Sequence, residues 1–253
     1  TKLCMFVVLT GHAIEGLLRV RFNDTVITHS ETIANDTTIN ATNTAFINTN
    51  NSNNMGSGRL VRFVAFDGSQ TARCTLAAST LGNTFCPTTH KFTDCAYVYF
   101  EIIYDAEKVN TLPNISFDIK GKKVYDPRTG NTAYSFNPAL CIRDYLTDTT
   151  YGLKALSSEI NDTSGIGGNF PAAANTCEVD AASFGGVSED TYTANGFTNF
   201  SASGEGVIEG LLSSCAGKLT YTNGKFNLFV GAAQTPSLTI TDDDLLAPLS
   251  IET

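Results

Sequence analysis

Four residues of zinc-ligand type lie close together in the chain: Cys74, Cys86, His90 and Cys95, spaced C-x11-C-x3-H-x4-C. Thiolates and imidazoles are what a structural zinc ion takes, but such sites usually present their ligands in close pairs of the C-x2-C kind. That pairing is absent, and Cys95 opens an apolar strand, so these four are the nearest approach to a metal set and no metal or other cofactor is expected. Cysteine numbers seven, at 4, 74, 86, 95, 141, 177 and 215. An odd count forbids complete internal pairing, and Cys4, Cys95, Cys141 and Cys215 sit in or beside apolar segments, where thiols act as small core residues. Gly204, Gly206 and Gly210 spell G-x-G-x3-G, yet the preceding Thr198–Ser203 is no hydrophobic strand, which a dinucleotide fold requires. His12, His29 and His90 are scattered and lack a nucleophile nearby in sequence. Glu101 and Asp105 make a conceivable carboxylate pair, of a kind that strand surfaces supply freely. Signatures of P-loops, zincins and α/β-hydrolases are missing. No catalytic residue is assigned, and the chain is not expected to be an enzyme.

Composition agrees with a scaffold that holds polar loops. The chain has 253 residues, long enough for one large domain or two ordinary ones. Charged residues make up only 16%, and Asn and Thr fill the gap, which favours strands and turns over long helices. The net charge is −9. A nucleic-acid reader shows a basic stripe, and the only basic cluster is Lys120, Lys122 and Lys123, so sequence-specific nucleic-acid binding is not expected. The longest apolar runs, Cys4–Leu9 and Ala96–Tyr104, fall far short of the ~20 residues of a membrane span. Leu3–Leu9 lacks the flanks of a signal peptide. The chain starts at Thr1 rather than Met, and the expectation is an excerpt from a longer polypeptide.

The elements that would position these residues are mostly strands. Residues 3–22 read as two strands broken at Gly11-His12. Residues 23–58 carry no Lys or Arg and are crowded with Asn and Thr, which predicts an exposed polar insertion with a little edge strand. Strands are predicted at 59–66, at Ala96–Tyr104 as the central one, and at 114–124, where Ile115, Phe117 and Ile119 alternate. Residues 67–94 read as turns. Asp126-Pro127-Arg128-Thr129-Gly130 has turn chemistry. Asn137 caps a helix near 137–147 with Pro138 in its first turn. Residues 157–170 read as a polar loop and Pro171–Val179 as a short helix. A helix near 204–216 shows the stripe Val207, Ile208, Leu211, Leu212, Cys215, with Gly217 as its C-cap. Asn223-Gly224 then makes a hairpin over 218–230, pairing Leu219 with Leu228 and Tyr221 with Phe226 on the side that faces that helix. Thr241–Asp244 resembles a capping box. The seven Asn-X-Ser/Thr sequons are what an Asn- and Thr-rich chain yields by chance.

Residues 114–152 read NISFDIKGKKVYDPRTGNTAYSFNPALCIRDYLTDTTYGL. This stretch resembles the tip attachment protein J family of long-tailed bacteriophages, the lambda-like central tail hub. The resembling features are a strand, a G-[RK]-K-V-Y-D-P-R-T-G turn, an aromatic-Ser-x-Asn-Pro-Ala-Leu helix start and a Tyr-Leu-Thr-Asp…Tyr-Gly end. Gly11–Gly16, Ala96–Tyr99 and Tyr104–Lys108 are similar to upstream parts. Ala172–Cys177, Thr191–Gly196, Leu211–Phe229 and Leu238–Leu245 are similar to the C-terminal hub portion. The resemblance covers most of the chain outside 23–58. It departs from the family at Tyr134, where a Trp is usual, and at Cys74 and Cys86, which belong to no pattern of the family.

The resemblance implies an α+β, strand-rich, multi-subdomain hub with short helices packed on antiparallel sheets. The expected division is a strand-rich subdomain at 1–112 with the 23–58 insertion, and an α+β subdomain at 113–253. The implied role is a virion structural component at the distal end of a phage tail, made in the bacterial cytoplasm. The implied partners are two further copies in a homotrimer, the distal tail protein ring, other tail-tip proteins and the tape-measure protein. A host surface receptor would be met through regions beyond this excerpt. An acidic surface suits a channel through which DNA passes without sticking. The competing expectation is a receptor- or carbohydrate-binding adhesin module, for which the 23–58 segment offers polar surface.

Overall fold

A computed structural model describes residues 1–163, 168–181, 189–199, 201–232 and 241. They form two compact units, one of residues 1–126 with 130–135, the other of 127–129 with 136–253. The architecture is α+β with antiparallel sheets. No helix among the described residues is long and apolar enough to cross a membrane.

The first unit runs β1 (Lys2–Thr10), β2 (Gly16–Phe22), β3 (Thr25–Val26), β4 (Thr38–Asn40), β5 (Val61–Asp67), α1 (Thr75–Phe85), β6 (Ala96–Ile103), β7 (Ile115–Lys120), β8 (Lys123–Asp126) and β9 (Asn131–Tyr134). One sheet has the order β1-β6-β5-β4 and a second the order β3-β2-β7. In β6 every residue is buried, because both faces of the strand are covered. Strand alternation sends Val98, Phe100 and Ile102 to one side, where they join Val61 and Phe63 of β5 and Val20 and Phe22 of β2 in the main core. It sends Tyr97 and Tyr99 to the other side, against Ala77 of α1. The unit is therefore layered as helix, four-stranded sheet, three-stranded sheet. Full burial of a Phe such as Phe63 or Phe100 is worth about 1.5–3 kcal/mol, so this doubly covered strand is where the unit's stability concentrates.

Two sequence expectations change here. The segment 23–58 keeps the exposed polar loops and the edge strands expected of it, but part of it also belongs to the core. It contributes β3, β4 and a 3-10 turn at Thr44–Phe46, and Ile27, Ile39, Ala41 and Phe46 are buried in the main core. Its Asn side chains stand in for backbone partners: Asn43 Oδ1 accepts from Thr28 N at 2.6 Å and its amide donates to Val26 O at 3.0 Å. The turn-rich reading of 67–94 missed α1. That helix is short and changes direction at Gly82, whose φ is +71°, and its Thr, Asn and Gly content hides the periodicity.

The division between units also falls later than 112/113. β7 pairs antiparallel with β2 from Gly16↔Lys120 to Phe22↔Ile115, and that pairing keeps it in the first unit. The stretch read as one strand over 114–124 is two, β7 and β8. β8 and β9 form a hairpin from Lys123↔Tyr134 to Asp126↔Asn131.

The second unit holds α2 (Pro138–Thr147), α3 (Phe170–Cys177), β10 (Asp180–Ala181), β11 (Glu189–Asp190), α4 (Gly204–Ser213), β12 (Lys218–Thr222) and β13 (Lys225–Phe229), with a 3-10 turn at Ser157–Glu159 inside the expected polar loop. α2 packs on α3 and on α4, burying Leu140, Ile142, Leu146, Phe170 and Ala174. Asn223 (φ +52°) and Gly224 (φ +73°) both take left-handed conformations, as a type I′ turn demands. The hairpin pairs Leu219 with Leu228 and Tyr221 with Phe226, as its turn predicts. α3 packs against β13, and Tyr221 stays exposed. α4 ends with Ala216 at φ +47° and Gly217 N donating to Leu212 O at 2.8 Å, so Ala216, not Gly217, is the left-handed residue. Of the Thr241–Asp244 capping box, 242–244 lie outside the described residues.

Candidate functional site

Two residues of the 114–152 stretch, Arg128 and Asn137, meet in one polar cluster in the second unit. Asn137 precedes α2 with an extended backbone, and its Oδ1 accepts from Ala139 N at 3.0 Å. Pro138 follows in the first turn, where a missing N–H leaves no helical bond unmade. The Asn137 amide reaches the other way, donating to Ala174 O at 2.9 Å and to Glu178 Oε1 at 2.9 Å. One side chain thus caps α2 and ties it to the end of α3. Asn137 is buried, and each of these groups would otherwise cost desolvation without return.

Arg128 belongs to the same cluster. Its guanidinium meets Glu178 through two parallel contacts, Nη1–Oε2 at 2.5 Å and Nη2–Oε1 at 2.8 Å, and Nη1 also donates to Asn175 Oδ1 at 2.9 Å. This is the fork geometry that only Arg supplies. Arg143 of α2 makes a second fork, on Asp162, with Nε–Oδ1 at 3.0 Å and Nη2–Oδ2 at 2.6 Å. Asp126 O accepts from Gly130 N at 2.8 Å, which closes the Asp-Pro-Arg-Thr-Gly turn, with Gly130 at φ +74°. Every charge named here has an opposite charge on it. Such an arrangement holds backbone segments in register; it offers no poised nucleophile or base.

The residues singled out for metal chemistry do not assemble. Among the described residues no group of three or more His, Cys, Asp or Glu could hold a metal ion. Cys74 is the N-cap of α1, its sulfur accepting from Ala77 N at 3.4 Å, and it is buried with Cys86 beside Tyr97. Burial pushes the Cys74 thiol up to about 11. His90 lies with its ring 6.1 Å from that of Phe92, and Cys95 is half-buried with a free thiol. The other two histidines serve loops: His12 Nδ1 lies 2.9 Å from Ala13 O, and His29 Nδ1 lies 2.7 Å from Glu31 O. Gly204 and Gly206 open α4 and Gly210 lies in its second half, with Ser203 Oγ accepting from Gly206 N at 3.1 Å and irregular chain over 191–199 before it.

Glu101 and Asp105 do not form a pair either; each is surrounded by donors. Glu101 is fully buried and receives Arg62 Nε at 2.8 Å, Lys2 Nζ at 3.1 Å, the Tyr99 hydroxyl at 3.1 Å and the Thr80 hydroxyl. Burial pushes its carboxyl up, but the bonds from Thr80, Arg62 and Lys2 outweigh this and hold it below its ordinary value. Asp105 accepts from Asn51 at 2.8 Å, Asn48 at 2.9 Å, Glu107 N at 3.1 Å and Lys108 N at 2.9 Å. The Asn51 bond leads in holding its carboxyl low. Sequence reasoning missed both roles. The signal was there in part, since a Glu amid the apolar run Ala96–Tyr104 must meet cations when that run is buried. Neither a protein-family model nor a curated protein sequence matches this chain.

Proposed function

We propose that this chain is a structural component of a bacteriophage tail tip: part of a trimeric central hub that joins the tail tube to the host-recognition apparatus. In this reading three copies surround the path of the tape-measure protein and then of DNA, and contact the distal tail ring and other tip proteins. The observation that carries it is the use made of the resembling residues. Arg128, Asn137 and the Asp126–Gly130 turn are engaged in holding the fold, as befits an assembly protein, and Glu101, Asp105 and Asp162 are engaged likewise. The net charge of −9 suits a channel that DNA must leave freely. The chain acts without catalysis and without a cofactor.

Immunogold electron microscopy of source particles, with antibody raised against this chain, tests the proposal. Label confined to the distal end of a tail tube is the expected outcome. Label along fibres, or on host cells without particles, would overturn it.

A further inference from the structure

The first unit carries a small cleft of about 210 Å3, lined in part by Asn23, Thr25, Phe46, Lys108, Asn110 and Thr111. Both walls are fixed in advance. On one side Asn23 sits at φ +51° and is clasped to Asn114, with Asn23 N donating to Asn114 O at 2.7 Å and Asn114 N to Asn23 Oδ1 at 3.0 Å. On the other side Asp105 and Val109 exchange backbone bonds of 3.0 Å, while the Asp105 carboxylate holds the amides of Glu107 and Lys108. A preformed cleft loses little entropy on binding. Its floor is apolar, with the ring of Phe46 set edge-on to Phe22 at 5.5 Å.

The polar groups that line it are unengaged. Among the described residues, the Asn23 amide nitrogen, the Asn110 amide, the Thr25 and Thr111 hydroxyls and the Lys108 ammonium have no protein partner. Amides and hydroxyls both donate and accept, as the hydroxyls of a sugar do. Lys108 is the one charged residue of the lining, and the other polar groups there are neutral amides and hydroxyls, which suit a neutral polyhydroxyl ligand. The volume falls below the ~300 Å3 at which drug-sized sites begin, so it suits one ring rather than a chain of them. We propose that this cleft binds a neutral monosaccharide, its hydroxyls on Asn23, Asn110 and Thr111 and its apolar face toward Phe46. The proposal is independent of the hub reading.

Amide-resolved NMR titration of the chain with glucose, galactose and N-acetylglucosamine, and separately with acetate, tests it. The expected result is saturable shifts at residues 23–25, 46 and 108–111 with at least one sugar. The exposed double variant Asn110→Ala/Thr111→Val should bind about tenfold more weakly, as loss of one or two hydrogen bonds requires. No shift with any of the three sugars, shifts outside the cleft, or shifts with acetate in place of sugar would each overturn the proposal. None of these outcomes bears on where the chain sits in a particle.

Discussion

Arg128 and Glu178 stand 50 positions apart in the chain and meet fork to fork, at 2.5 and 2.8 Å. Glu178 also accepts from Asn137 at 2.9 Å. Turn, helix start and helix end are therefore tied through one carboxylate.

The first prediction follows from the fork. Lys keeps the charge of Arg128 but cannot make two parallel bonds. Because Glu178 is partly exposed, the pair is discounted for solvent screening, and Arg128→Lys should cost about 1 kcal/mol, close to the loss in Arg128→Ala. Urea unfolding of the three proteins measures this. A Lys variant as stable as the parent would show that charge alone matters.

How far the sequence reached differs by element, and the reasons are physical. The hairpin at Asn223-Gly224 and the cap at Asn137 were legible because local chemistry sets them: a turn that needs two left-handed residues, a side chain that bonds its own helix. The central strand was legible because β-branched and aromatic residues run unbroken through Ala96–Ile103. In the segment 23–58 the exposed loops and edge strands were legible, but the buried residues were not, because their burial is set by distant residues. Ile39 and Phe46 are buried against strands far along the chain, and polarity averaged over the segment hides them. Helix α1 was missed because Gly82 breaks its pattern. The polar cluster around Glu178 was legible only in part. Arg128 and Asn137 stood out in the motif, but their common acceptor lay outside it, and no local rule names a partner across 50 positions.

Two glycines separate strain from collision. Gly68 has φ +99°, and a Cβ there would lie 2.6 Å from the Ala13 Cα. Gly130 has φ +74° with nothing within 4 Å of a Cβ. Gly130→Ala should therefore cost only the left-handed penalty, about 1 kcal/mol. Gly68→Ala adds a clash with rigid backbone and should cost about 3 kcal/mol or more. Equal losses in thermal unfolding would contradict the packing at Ala13.

The thiols give a third prediction. Cys74, Cys86, Cys177 and Cys215 are buried, while Cys4, Cys95 and Cys141 are half-buried. Burial pushes Cys74 and Cys141 up to about 11 and Cys177 up to about 12, so little thiolate exists on them at neutral pH. In a disulfide-exchange reagent at pH 8, Cys4 and Cys95 should react first, Cys141 more slowly, and the four buried thiols only after unfolding. Rapid labelling of Cys74 or Cys86 in the native protein would show that the layer under α1 opens readily.

The last prediction concerns acid. Glu101 lies in the covered layer beneath α1 with Lys2 and Arg62 as counter-charges. Its folded carboxyl titrates below the ordinary 4.5. A carboxyl depressed by folding adds stability that is complete above its unfolded value and is lost as pH falls through its folded one. Glu101→Gln removes that contribution and leaves two cations against a neutral amide. At pH 7 the variant should be less stable by about 3 kcal/mol, the usual cost of breaking a buried pair from one side. As pH falls below 4.5, parent and variant should converge, because the parent's Glu101 becomes neutral too. Asp67, Asp105 and Asp118 are also held low, so both proteins weaken in acid, and only the difference between their melting curves isolates Glu101. Melts taken from pH 7 to pH 3 decide the matter: a gap that narrows with acid fits a charged, buried Glu101, and a constant gap would mean that the carboxylate's charge does not stabilise the layer.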